Sequence, residues 1–313
     1  MKTLFLHIGT HKTGTTALQQ FLSLNRELLA QKGWLYPRAG CPESHHGHHE
    51  IAWGFMERKV FDFGLLKREI EESPCDRVVL SSEEFEFCRN TDRVRDAFEY
   101  CEVRVVLYLR RQDDLLLSEY NQHLKSGIYF KPLAQFAKLL KLQGRLDYLG
   151  LCQRWAMTFG KDVIIARVYY PDTSIIDDFC GEVGLPKAEL SLPANRFANR
   201  SFNPSVTGVL KVLNQLRQKG VSESTYKDLF GLVRQFAAQL DNEKKFSLMS
   251  PAERKNFMGR YEKSNRRLYA SFLIGQEFND PLVENAGEAK VSENRLPLAL
   301  VVEMLLHLAK QEA

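Results

Sequence analysis

The clearest alternation of apolar and polar positions lies at the start of the chain. Leu4, Phe5, Leu6 and Ile8 form an apolar run broken only by His7. Gly9 and Gly14 follow, and Leu18, Phe21, Leu22, Leu28 and Leu29 then recur at helical spacing. This order predicts a buried strand, a glycine-bounded loop and an amphipathic helix. Further strands are expected at 77–82 (RVVLSS), 103–109 (VRVVLYL) and 162–168 (DVIIARV). Helical spacing is read around 55–72, 92–100 and 112–124 and across most of 132–159, whereas 33–54, rich in Pro, Gly and His, reads as irregular. Strands alternating with helices predict an α/β fold, a central parallel sheet flanked by helices with right-handed crossovers. From about residue 204 the strand pattern stops, and 204–218, 223–241, 251–274 and 296–311 read as helices. A boundary is expected near 190–203, where asparagines stand at 195, 199 and 203. The expectation is one domain over 1–313, with an α/β core at 1–190 and a helical C-terminal lobe at 204–313.

Composition narrows the class. With 313 residues, 44% of them hydrophobic and 26% charged, the chain has the make-up of an ordinary globular protein with a sizeable core. Its net charge of +4 suits an anionic ligand but is too small and too dispersed for a nucleic-acid surface. No apolar run approaches the ~20 residues of a membrane span. The N-terminal apolar run is short and leads straight into the loop, so a signal peptide is not expected. Six cysteines are scattered without a C-x-x-C pair, which fits reduced thiols and a cytoplasmic protein.

A strand that feeds a glycine-containing loop and a helix N-terminus makes an anion site. Loop amides point inward, and the helix dipole adds roughly half a positive charge. Lys12, Thr13, Thr15 and Thr16 add an ammonium and three hydroxyls, so a phosphate or a sulfate is expected here. The standard triphosphate loop places Lys directly after its second glycine. Here Thr15 follows Gly14 and the lysine stands two residues before it, so the magnesium logic of that loop is not assured.

A second constellation begins where the strand at 103–109 ends: Arg110, Arg111, Gln112, Asp113, Asp114, then Ser118, Glu119 and Tyr120. Ligands of open α/β sheets sit beyond the carboxyl ends of strands. A guanidinium there, with a hydroxyl further along the next helix, suits a phosphate monoester.

Together the two motifs resemble those of the sulfotransferases that use 3′-phosphoadenosine 5′-phosphosulfate (PAPS). His11-Lys12-Thr13-Gly14-Thr15-Thr16 is similar to their 5′-phosphosulfate loop, and Arg110 followed by Ser118-x-Tyr120 to their 3′-phosphate clamp. Asp114 also falls where many members carry Asp, while Gln112 departs from their usual proline. The style HIGTHKTGTTALQ is closest to bacterial and carbohydrate-directed members. The likeness covers roughly 3–25 and 77–125, with a looser continuation through 155–167, Asn199-x-Ser201 and Ser264-Asn265.

The resemblance implies a sulfotransferase-type fold and metal-independent, in-line transfer of a sulfuryl group from PAPS to a hydroxyl or amine. Adenosine 3′,5′-bisphosphate would be released, and the acceptor expected from the likeness is a carbohydrate. Lys12 and the loop donors would stabilise charge growing on the leaving phosphate. His11, Lys12, Thr13, Gly14, Thr15, Thr16, Arg110 and Ser118 would bind PAPS.

A general base is also needed. Glu83 or Glu84, at the end of the strand at 77–82, is one candidate, and the cluster His45, His46, His48, His49 the other. Glu83 is favoured, with His48 or His49 as a substrate contact or alternative base. The cluster lacks a matching Cys or carboxylate spacing for zinc. Arg104 and Arg111 read as surface charges, with contact to the nucleotide the alternative for Arg111, and Trp34 and Trp155 read as core, while Trp53 beside the histidines suits a sugar platform. Two other classes remain open: a P-loop kinase or NTPase using ATP and magnesium, and a non-catalytic nucleotide- or glycan-binding module.

Overall fold

The computed structural model of the chain describes residues 1–42, 45–193, 202–240 and 246–312, with side chains to 308. Asn199 and Ser201, part of the looser likeness in the sequence, lie outside the described residues. Contacts divide the chain into two units. One holds Met1–Arg111, Asp147–Ala198 and Lys263–Phe278, and the other Gln112–Leu146, Asn199–Glu262 and Asn279–Ala313.

The first unit is built on a five-stranded sheet. Its strands are β1 (Lys2–His7), β2 (Trp34–Leu35), β3 (Arg77–Ser81), β4 (Cys101–Leu109) and β5 (Ile164–Val168), in the order β2-β3-β1-β4-β5. Every pairing is parallel. Strands are added outward on either side of β1, which puts the ends of β1, β3 and β4 side by side. Their near-continuous apolar runs reflect burial on both faces. On one face Phe5, Val79, Val106 and Tyr108 pack against Leu18, Phe21 and Leu22 of the helix Thr15–Leu24, and against Phe179 and Val183 of the helix Ile175–Val183.

The polar break at His7 has its explanation in the register. His7 pairs with Ser81, and its Nδ1 stands 2.8 Å from the serine Oγ. The rings of Tyr108 and Phe179 each lie 5.9 Å away, and burial pushes the His7 pKa down to about 4. All six cysteines are buried and unbridged.

Several features of the first unit depart from the sequence reading. The stretch read as irregular contains β2 and the helix His49–Phe55. The helix expected from 55 starts only at Phe63, capped by the Asp62 side chain, which accepts from Leu65 N–H. The helix Ile175–Val183 was not anticipated, although Ser174 caps it and Ile175, Ile176, Phe179 and Val183 form its buried face.

The second unit is mainly helical: Gln112–Lys125, Leu133–Leu142, Thr207–Gln218, Glu223–Gln239, Pro251–Gly259 and Leu298–Glu312. Its one extended element among the described residues, unforeseen in the sequence, is a parallel pair of two-residue strands, β6 (Phe246–Ser247) and β7 (Ala289–Lys290). A buried charge network joins these elements. Arg254 is 4% exposed and donates to Asp113 at 2.9 Å, Asp114 at 2.7 Å, Glu288 at 2.8 Å and Ser247 at 3.0 Å. Asp114, which the sequence linked to the family's clamp, is thus a partner of Arg254. A second buried pair, Arg145 with Glu119 at 2.9 Å, holds the first of these helices to the residues after Leu142.

Candidate active site

The candidate site lies in the first unit, at the carboxyl ends of adjacent strands. The loop after β1 keeps pairing with β4 beyond the formal strand: Ile8 N–H donates to Val106 O, Thr10 N–H to Tyr108 O, and Tyr108 N–H to Gly9 O. It then turns through two left-handed positions, Lys12 at φ 64° and Gly14 at φ 78°. Gly14 is the N-cap of the helix Thr15–Leu24, which has no side-chain cap and no acidic residue in its first turn. Its leading amides are therefore not neutralised by the helix itself. Four other helices of this unit are capped by side chains, those of Asp62, Asn90, Asp147 and Ser174, while Arg26–Gln31 and His49–Phe55 lack such a cap but carry an acid in the first turn.

The loop hydroxyls divide into two groups. Thr13 is fully buried and its Oγ1 donates 2.6 Å to Thr10 O, while Thr10 Oγ1 donates to Tyr108 O. Thr13 therefore shapes the loop, and the expected hydroxyl contact with a ligand is corrected to a positioning role. Thr15 is buried at the first helical position, and Thr16 is exposed. His11 is drawn away from the loop mouth. Its N–H donates 3.0 Å to Glu86, and its ring nitrogens stand 3.2 Å from Glu86 and 3.7 Å from Glu84.

Arg110 continues from β4 and turns back onto the loop, where its Nη1 donates 3.2 Å to Lys12 O. Its guanidinium lies 5.9 Å from the Tyr169 ring centroid, and its Nε is buried without a hydrogen-bond partner. Tyr169, just past β5, also covers Gly14: a Cβ there would come within 3.2 Å of the ring. Tyr148 fixes the Arg110 backbone, donating 2.6 Å to its carbonyl. Arg111 is only 4% exposed, so the surface charge expected there is a buried one. Arg104 is a surface charge, paired with Glu102. Ser118 stands half-buried in the helix Gln112–Lys125 of the second unit.

From β3 comes Glu83, lodged against the loop. A Cβ at Gly9 would stand 2.8 Å from both Cα and Cβ of Glu83. Only glycine fits there, on both φ (87°) and space. The Glu83 carboxylate accepts 2.9 Å from Gln19 Nε2 and stands 3.9 Å from His49 Nδ1, which is itself 2.9 Å from Ser82 Oγ.

Glu84 is held differently. Burial raises its pKa, but hydrogen bonds from His11 and Trp53, with the His11 and His49 rings nearby, outweigh that and leave it below the ordinary carboxylate range. Arg58 adds a contact at 3.7 Å. A carboxylate tied down this way is a poor proton acceptor, whereas among the described residues the Glu83 carboxylate meets only Gln19 and, at 3.9 Å, His49.

The histidine cluster separates. His48 is fully buried, its Nε2 bonded to Pro37 O at 3.0 Å and its Nδ1 accepting from Ser81 N–H at 3.2 Å. Burial pushes its pKa down to about 3. With both nitrogens engaged, His48 has nothing to offer a substrate, and the expectation of a contact or base there is corrected to a structural role. His49 remains beside Glu83, and Trp53 stacks on it in a tilted pair at 5.9 Å. Trp34 and Trp155 are core residues, 1% and 0% exposed. Among the described residues no three His, Cys, Asp or Glu side chains group so as to hold a metal ion.

Gln19 and Tyr169 went unnoticed in the sequence. Gln19 stands one helical turn after Thr15, a signal for a buried polar residue facing the loop; Tyr169 had only its place at the end of a strand.

No family model matches this chain. An uncharacterized protein of Archaeoglobus fulgidus is 26% identical over 209 residues, which is 63% of this chain and 54% of the relative. The chain thus spans about half the length of the curated relative it matches. Among solved structures, a sulfotransferase from Alicyclobacillus acidocaldarius aligns with 72% of this chain and 99% of its own, at 15% identity and a TM-score of 0.42.

Proposed function

We propose that the protein is a PAPS-dependent sulfotransferase acting on a hydroxyl, with a carbohydrate the acceptor class suggested by the sequence likeness. The observation that carries the reading is the meeting of Arg110, Glu83 and the glycine loop within the first unit. Arg110 donates to the Lys12 carbonyl, and Glu83 is lodged against Gly9 of the same loop. An uncapped helix N-terminus, a lysine, a guanidinium and a carboxylate then occupy neighbouring strand ends. That combination suits an anionic donor and an acceptor that must lose a proton.

In this reading the loop amides and Lys12 hold the phosphosulfate and meet the charge that grows on the leaving phosphate. Arg110 takes the 3′-phosphate, and Ser118 is assigned to that group on the sequence resemblance alone. Glu83 accepts the acceptor's proton as the new S–O bond forms and the S–O bond to phosphate breaks. Adenosine 3′,5′-bisphosphate and the sulfated acceptor are the products. His49 and Gln19 orient the Glu83 carboxylate.

Calorimetry with adenosine 3′,5′-bisphosphate, with and without magnesium, tests the donor site. Metal-independent binding lost in Lys12→Ala and Arg110→Ala is the expected result. Tight binding of ATP with magnesium and none of the bisphosphate would overturn it. A panel of glycans and small alcohols with radiolabelled PAPS then reads the acceptor. Glu83→Gln should abolish transfer and leave bisphosphate binding intact, whereas a non-catalytic binding module would show no transfer in any variant.

A further inference from the structure

The second unit contains a half-open cavity of about 1240 Å³ whose lining residues all belong to that unit. Ligand pockets commonly measure ~300–1,000 Å³, so this one has room for a long chain and a headgroup. The larger part of its lining is apolar: Leu116, Leu133, Phe257 and Val291 are buried, with Leu248 and Met249 also lining it.

Its rim is basic. Lys138, Lys141, Arg260 and Lys290 line it against two carboxylates, Glu253 and Glu293. Both carboxylates are already engaged. Glu253 takes Lys290 at 2.6 Å and Ser250 N–H at 2.8 Å. Glu293 takes Leu133 N–H at 2.8 Å and the Tyr120 hydroxyl at 3.3 Å. Lys138, Lys141 and Arg260 have no carboxylate partner among the described residues; Arg260 only lies over the Phe257 ring, 5.5 Å from its centroid. An apolar interior under three unneutralised cations selects for one ligand chemistry, a hydrocarbon body ending in a negative head.

We propose that this cavity binds an amphipathic anion, a single aliphatic chain with a carboxylate or phosphate head. The site is separate from the PAPS reading and stands without it. A free chain and a membrane lipid share that chemistry, and the volume of the cavity with buried apolar side chains in its lining favours the free chain.

The test is calorimetry on the full chain with dodecanoate, with dodecanol as the uncharged control, and co-sedimentation with vesicles of phosphatidylcholine and phosphatidylglycerol. Saturable one-to-one binding of dodecanoate is expected. The triple variant Lys138→Gln/Lys141→Gln/Arg260→Gln, all exposed positions, should weaken dodecanoate about tenfold or more and leave dodecanol unchanged. Ala137→Trp should block both ligands, with circular dichroism verifying the fold and bisphosphate binding unaffected. Unsaturable uptake, equal affinity in the triple variant, or vesicle binding without dodecanoate binding would overturn the proposal.

Discussion

Arg110 and Arg254 differ in what their guanidinium groups meet. Each leaves its Nε unpaired, so the difference lies in the terminal nitrogens. Arg254 serves three carboxylates and a serine at 2.7–3.0 Å. Burial opposes its charge, the carboxylates more than offset that, and its pKa is pushed up. Arg110 has no carboxylate partner among the described residues and donates only to a carbonyl of the anion loop. One guanidinium is neutralised within its own unit and serves the fold. The other keeps its charge at a strand end, beside a helix start that also lacks an acid, and that surplus suits an external anion.

The largest effect expected from this contrast is on stability. Arg254→Met strands Asp113, Asp114 and Glu288, and should cost about 3–5 kcal/mol in urea unfolding. Arg110→Met should change stability by less than about 0.5 kcal/mol. Equal losses from the two would erase the distinction.

Acidification comes next. His7 and His48 are both in the first unit and both held neutral by burial, with pKa values lowered to about 4 and about 3. Their unfolded forms titrate near 6.5, so the unfolded chain binds more protons below that pH. Stability is then full above about pH 6.5 and falls toward pH 4, by on the order of 3 kcal/mol per residue. Hydrogen exchange should show this loss in β1 and β3 before the helices of the second unit. A uniform loss would contradict it.

Arg110→Ala should weaken adenosine 3′,5′-bisphosphate by ~1.5–3 kcal/mol. Arg254→Lys, conservative in charge, should leave that affinity unchanged. The smallest effect sharpens the helix comparison. Ser174→Ala should destabilise by about 1 kcal/mol, because that helix relies on its cap. An acid introduced by Thr16→Glu should instead stabilise the uncapped helix by a few tenths of a kcal/mol while weakening bisphosphate binding.

The main strands were legible because parallel strands inside a sheet carry near-continuous apolar runs, as β1, β3 and β4 do, and the edge strand β5 keeps most of one despite Arg167. β2, β6 and β7 are two residues long, too short for any period to register. The helix Ile175–Val183 carried its signal in Ser174 and the spacing of Ile175, Ile176, Phe179 and Val183, and was overlooked.

Within the site, the glycine-bounded loop after β1 and the arginine at the end of β4 could be read from residue type and spacing. The different surroundings of Glu83 and Glu84 could not, because adjacent residues in a tight turn point different ways and only the positions of His11, Trp53 and Gly9 distinguish them. Four histidines close together in sequence look alike. The backbone of Ser81 and Pro37 decides that His48 is the interior one.

Lys12 holds a left-handed backbone at φ 64°, a conformation that costs a residue with a Cβ about 1 kcal/mol. Glycine would occupy that turn at less expense. Lys12→Gly should therefore raise the melting temperature while removing the ammonium from the loop. Selection of variants by thermal resistance alone would discard the side chain on which the proposed chemistry depends.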